Sequence, residues 1–183
     1  IKPIDVQMCI KTAISYSSSR QRKVYYLLHK VMQEACYELA QYADSIDSHF
    51  AVETGPETSE TLKKFLDSLG STGVAVNLDP ANLVMVTGDD PVKAVHNLKK
   101  YIVHTHAKDG IRVKVGNPEF IYRVVHPVPE EYNGVRYYQE LPLGKGSVDF
   151  PKYLAALDEI GYKGFLTIER ECGEDPAADI TMA

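Results

Sequence analysis

The stretch GVAVNLDP, residues 73–80, is an apolar run closed by an acid and a proline. It is too short for a helix of ordinary length, and glycine and proline bound it on either side, so it reads as a strand buried on both faces. A proline-opened helix is predicted downstream over residues 91–100. The same unit recurs along the chain. FAVE (50–53) runs into Gly55-Pro56 and then into a helical pattern over residues 60–69, built on Leu62, Phe65, Leu66 and Leu69. YIVHTH (101–106) precedes a Lys-Asp-Gly turn and a long polar insertion, and GFLTIE (164–169) follows a helix predicted over residues 149–160. Upstream, apolar residues three and four apart from Val24 to Tyr42 predict a long amphipathic helix over residues 20–42. Apolar strands alternating with helices indicate a parallel sheet, and therefore an α/β fold.

Length and composition fit that class. The 183 residues, 44% apolar and 25% charged, suit one soluble globular domain spanning residues 1–183. A net charge of −5 supplies no basic field for a phosphate backbone, so nucleic acid is not an expected partner. Cys9, Cys36 and Cys172 are odd in number and lack CxxC spacing, which argues against a disulfide framework or a thiolate zinc site and for a reducing cytoplasm. No run of about 18 apolar residues is present to span a membrane, and residues 1–12 lack the pattern of a signal peptide.

Residues 110–148 carry the breakers Asn117-Pro118, Pro127, Pro129, Asn133-Gly134 and Gly144-Lys145-Gly146. So long a segment without helical periodicity reads as a functional lid or binding loop, with Tyr137-Tyr138 in a short hairpin.

Chemistry enters at the last residue of each strand: Glu53, Asp79, His106 and Glu169. Each is able to ligate a metal and stands at a carboxyl end, the edge where parallel α/β sheets bind ligands. Three carboxylates and one imidazole form a hard donor set suited to a single Mn²⁺ or Mg²⁺ ion, with Zn²⁺ or Co²⁺ as alternatives. One carboxylate beside such an ion can remain basic enough to take a substrate proton. Asp79, preceding Pro80, reads equally well as a helix N-cap.

These residues carry a resemblance. Glu53 in FAVETGPE, Asp79 in VNLDPANL, His106 in HTHAKDG, the run LGKGSVDFPKYLAAL and Glu169 in GYKGFLTIERE together resemble the second half of the sugar phosphate isomerase/epimerase family. That family belongs to the xylose-isomerase-like TIM-barrel superfamily, which also includes ketose 3-epimerases, inosose dehydratase and endonuclease IV. The resemblance covers roughly residues 20–180. It implies a (β/α)8 barrel of which the chain holds about strands four or five to eight, with Glu53, Asp79, His106 and Glu169 as metal ligands. It further implies that Glu53 and Glu169 are the catalytic proton-transferring pair acting through an enediolate on a sugar or sugar phosphate. An inosose-type dehydratase and a non-catalytic half-barrel scaffold are the alternatives. Endonuclease IV is disfavoured, because that branch uses further histidines for three zinc ions.

A complete barrel needs eight βα units and about 250 residues. Four firm units are legible, with a possible fifth strand in CIKTAISY (9–16), so truncation is the expected explanation. Open sheet edges would otherwise favour a homo-oligomer. Substrate-binding candidates are Asn82, which stands where ketose epimerases often have histidine, together with Glu57, Lys108, Arg112 and Lys145. His104, two residues before His106, faces the same side but about 6 to 7 Å deeper, given a rise of roughly 3.3 Å per residue. It is expected to be a hydrogen-bonded neighbour and not a ligand. His29, His49 and His96 are expected at the surface. His126 is the remaining histidine of interest, and Cys172 has no nearby base to make it a nucleophile.

Overall fold

The computed structural model describes residues 19–123 and 126–182. The possible strand at 9–16 lies outside the described residues. Helix α1, Ser19–Ser45, leads into strand β1, Phe50–Glu53, and helix α2, Ser59–Leu69. Strand β2, Val74–Leu78, continues through a short helical turn, Pro80–Asn82, and a π-helical turn, Leu83–Thr87, into helix α3, Pro91–Leu98. Strand β3, Ile102–Ala107, is followed by β4, Asp109–Arg112, and then, after a four-residue helix at Pro118–Ile121, by β5, Tyr138–Leu141. Helix α4, Phe150–Glu159, strand β6, Leu166–Ile168, and helix α5, Pro176–Thr181, complete the order.

β1, β2, β3 and β6 form one parallel sheet in that order, while β4 and β5 pair antiparallel as a separate ribbon. The Lys-Asp-Gly segment expected as a turn is therefore largely strand: Asp109 pairs with Leu141 and Arg112 with Tyr138. Glycine and aspartate are poor strand formers, and this pairing comes from a partner nearly thirty residues away. Tyr138 lies in the ribbon as expected, although its partner strand directly follows β3.

The helices begin by a shared device. Asp79, Asp90, Asn117 and Asp175 each cap a helical segment whose first residue is proline. The carboxylate or amide oxygen accepts backbone N–H groups left unpaired at the helix start, and proline has no N–H to leave unpaired there. In α1 the residues Met32, Cys36, Ala40 and Ala43 are buried at helical spacing. Met32, Cys36 and Ala40 join Leu62 and Leu66 of α2 and Val76 and Leu78 of β2 in one core. The side chains of Val24, Leu27 and Leu28 lie outside the described residues.

Burial on both faces holds for β2 and fails for β6, whose three residues are all exposed, next to Phe165 at 82%. Among the described residues β6 is an edge strand, with β3 as its one strand neighbour, and β1 is the outer strand on the other side of the sheet.

Gly73, just before β2, packs against the backbone of α1. A Cβ there would overlap Ala40 O and crowd Asp44 N at 2.9 Å, both of them backbone atoms that cannot rotate aside. Gly73→Ala is expected to destabilise the fold by about 2 kcal/mol or more through overpacking. Urea unfolding at unchanged m-value measures it.

Candidate metal centre

The parallel register brings the strand ends level. Glu53 pairs with Asn77, Leu78 with Thr105, and Ala107 with Ile168. Beyond β1, Thr54 Oγ1 donates to Asp79 O at 2.9 Å and accepts from Asp79 N at 2.8 Å, locking the two strand ends together. Glu169 N donates to Ala107 O at 3.1 Å, extending the ladder one residue past β6. Between β2 and β3 the register shifts at Val76/Asn77, a bulge that re-aims the residues beyond it.

The result is a cluster in which Glu53, Asp79, His106 and Glu169 each offer a donor atom, all within 4.8 Å of one another. Asp79 is fully buried. It is a helix N-cap that also turns one carboxylate oxygen toward the cluster. Asp79 Oδ1 accepts from Ala81 N at 2.8 Å and Asn82 N at 3.1 Å, while Oδ2 faces His106 Nδ1 at 3.5 Å. His106 Nδ1 also lies 3.1 Å from Glu169 Oε2 and 3.8 Å from Glu53 Oε1.

Electrostatics reflect this crowding. Burial, followed by the charges of Asp79 and Glu169, raises the Glu53 carboxyl above its ordinary range, against the lowering pull of His106. The hydrogen bond to Asp79, assisted by the charges of Glu169 and Glu53, raises His106. Lys108 is 3% exposed, and its ammonium lies 3.0 Å from Glu169 Oε2, 3.7 Å from Glu140 Oε2 and 3.9 Å from Asp79 Oδ2, with Glu171 also in contact. Burial opposes that charge, but these carboxylates together hold it well above the ordinary lysine value.

A cleft of about 250 Å³ opens over the cluster. Of the substrate-binding candidates, Asn82 and Lys108 line it. Asn82 Nδ2 donates to Glu53 Oε1 at 3.3 Å and to Thr54 O at 3.1 Å. Glu57 is buried in the loop just beyond β1. Arg112 instead donates to Val86 O at 3.0 Å, and Lys145 is exposed; neither lines the cleft. His104 accepts from or donates to Thr167 Oγ1 at 2.9 Å, with its ring edge-on to His106. His49, His96 and His126 are exposed, whereas His29 is half-buried edge-on against Phe65.

Sequence reasoning missed Met85, Tyr122, Tyr138, Glu140 and Glu171, which form the rest of the lining. Most arrive from the insertion or from the loop after β6, where no periodic signal announces them. Burial raises the Tyr122 phenol above its ordinary value, keeping it a hydrogen-bond donor. Glu140 Oε1 accepts from Arg170 Nη1 at 2.9 Å and from Glu171 N at 2.9 Å, tying the ribbon to the β6 loop. Arg170 in turn pairs with Asp179 Oδ2 at 2.7 Å.

A family model described as "Xylose isomerase-like TIM barrel" matches residues 16–182. An inosose dehydratase of Geobacillus thermodenitrificans is 28% identical over 138 residues, 75% of this chain and 43% of that protein. The crystal structure of a xylose isomerase domain protein from Planctomyces limnophilus superposes with a TM-score of 0.64 at 27% identity, covering 92% of this chain and 52% of that one. A magnesium complex of a xylose isomerase-like TIM barrel protein from Mycobacterium smegmatis gives a TM-score of 0.64 at 19% identity, covering 85% and 48%. The chain thus spans about half the length of the relatives it matches. No helix among the described residues is long and apolar enough to cross a membrane.

The donor set fits a hard divalent ion, since ligand atoms around such an ion at about 2.1 Å lie roughly 3 to 4 Å apart. Mn²⁺ or Mg²⁺ is expected to raise the melting temperature of the parent and of His104→Ala, but not of His106→Gln or Glu169→Gln. The shift should be larger at pH 7.5 than at pH 5, because Glu53 and His106 both hold protons above their ordinary values and must release them to the ion. Differential scanning fluorimetry reads all four proteins.

Proposed function

This chain belongs to the xylose isomerase-like TIM-barrel family, and on that premise we propose that it carries the metal-binding half of an isomerase or epimerase acting on a small sugar or sugar phosphate. The observation that carries this reading is the convergence of Glu53, Asp79, His106 and Glu169 within 4.8 Å at one sheet end. Glu53 ends β1 and Glu169 directly follows β6, the outer strands among the described residues, while Asp79 directly follows β2 and His106 lies in β3, the strands between. A substrate carbon held between the two glutamates meets a carboxylate on either side.

In this mechanism one glutamate takes the proton beside the substrate carbonyl and the other returns a proton to the opposite face. The raised carboxyl of Glu53 suits it to hold that proton near neutrality. A divalent ion in the four-residue site would polarise the carbonyl and offset the charge of the enediolate. Asn82 holds Glu53 by its 3.3 Å hydrogen bond, and Lys108 holds Glu169 at 3.0 Å. The phenol of Tyr122 and the ring of Tyr138 close the cleft from the insertion side and limit water entry. Mg²⁺ or Mn²⁺ suits the oxygen-rich donors best.

A second reading, an inosose-type dehydratase, is favoured by the Geobacillus relative. It shares the first proton abstraction but then expels a hydroxyl, for which the Lys108 ammonium beside Glu169 is a ready donor.

The test is incubation with ketoses and inosose in D₂O with Mg²⁺ or Mn²⁺. Deuterium entering beside the carbonyl with retention of all oxygens is expected for the epimerase, and loss of water marks the dehydratase. Glu53→Gln and Glu169→Gln should each lower exchange by about 10²- to 10⁴-fold. Exchange unaffected by either substitution would refute the proton-transfer reading.

A further inference from the structure

His106 presents its two nitrogens to different neighbours. Nδ1 faces the acids, 3.1 Å from Glu169 Oε2 and 3.5 Å from Asp79 Oδ2. Nε2 lies 3.1 Å from the Asn77 side-chain nitrogen. That same nitrogen is 3.4 Å from Glu53 Oε2, while Asn77 Oδ1 is buried with no hydrogen-bond partner among the described residues. In this arrangement the Asn77 amide donates to Nε2, so the single proton of the neutral ring sits on Nδ1 and points at the carboxylates.

A nitrogen that carries a proton has no lone pair to give a cation. For Nδ1 to ligate, the ring must take its other neutral form, with the proton on Nε2. The ring charge is then unchanged: Nδ1 yields one proton to water as Nε2 takes one up. Now, however, an N–H would face the Asn77 NH₂ at 3.1 Å, donor against donor. A half-turn of the amide removes the conflict by bringing Oδ1 to Nε2–H, at the cost of the long 3.4 Å donation from the amide nitrogen to Glu53 Oε2. Oδ1 gives up no hydrogen bond in leaving its present place. His104 does not compete for the amide, since its Nε2 is engaged by Thr167.

We propose that Asn77 is the positioning residue that sets the tautomer of His106, its amide turning so that Oδ1 accepts from Nε2–H when Nδ1 binds a divalent cation. This rests on the metal-site reading above and extends it to a residue that touches neither cation nor substrate. Such partners of ligating histidines typically matter by about 10- to 100-fold in metal affinity.

The experiment uses the full chain with Zn²⁺ as a diamagnetic probe. Long-range ¹H–¹⁵N spectra of His106, assigned by its loss in His106→Gln, report which nitrogen carries the proton and which the metal. Competition with a chromophoric chelator reports affinity. In the wild type the proton is expected on Nδ1 without Zn²⁺ and on Nε2 with it. Asn77→Leu should lose about 10- to 100-fold in affinity and show mixed tautomers, while Asn77→Asp, with an acceptor at either orientation, should keep the Nε2–H signature. Zn²⁺ bound through Nε2, or an Asn77→Leu variant with wild-type affinity and an unchanged Nε2–H signal, would overturn this assignment alone. A wild type that binds no Zn²⁺ would overturn it together with the metal site.

Discussion

Like charges crowd at the carboxyl end of the sheet, and the surrounding structure is arranged around that fact. Glu53, Asp79 and Glu169 offer oxygens within 4.8 Å of one another, with Glu140 and Glu171 just beyond, reached through Lys108. Carboxylates at such distances in a partly desolvated place repel strongly and need a cation between them. The chain supplies one in Lys108, nearly fully buried and shared among four acids. A divalent ion in the proposed four-residue site would supply the rest.

The backbone makes this crowding possible by keeping the strand ends level. Thr54 clasps Asp79 at both its N–H and its carbonyl, so β1 and β2 end together. Asp79 divides its two oxygens between the helical turn that follows and the cluster it faces. One side chain thus both caps the turn and faces the cluster, which pins the acid beside the other carboxylates. The insertion adds the roof: Glu140 on β5 is bound by Arg170 and by Glu171 N, so the ribbon and the β6 loop hold each other over the cleft.

Much of this was legible in the sequence because it is local. GVAVNLD, FAVE, YIVHTH and GFLTIE each announce a strand by apolar content and punctuation, and observed β2, Val74–Leu78, differs from its reading only at the ends. The terminal acid or histidine of each strand needed only the rule that parallel strands end level. What escaped was tertiary. Asp109–Arg112 forms a strand because Tyr138–Leu141 returns to it, not because Asp-Gly favours extension. Arg112 stood near His106 in sequence yet turns to the Val86 carbonyl, while Tyr122 and Glu140, far along the chain, line the cleft. Asn77 was hidden for another reason: a polar residue inside a strand pattern carries no sign of which neighbour it will meet. The exposure of β6 was likewise missed, because apolar content says that a strand is suited to burial and not what covers it.

The proposed metal site places one cation in the space enclosed by the four strand-end side chains. An anomalous difference map from a crystal grown with Mn²⁺ tests it most directly. A single strong peak is expected within bonding distance of Glu53, Asp79, His106 and Glu169, with Lys108 outside its coordination sphere. A map with no peak there, or with the ion held instead by Glu140 and Glu171, would contradict it.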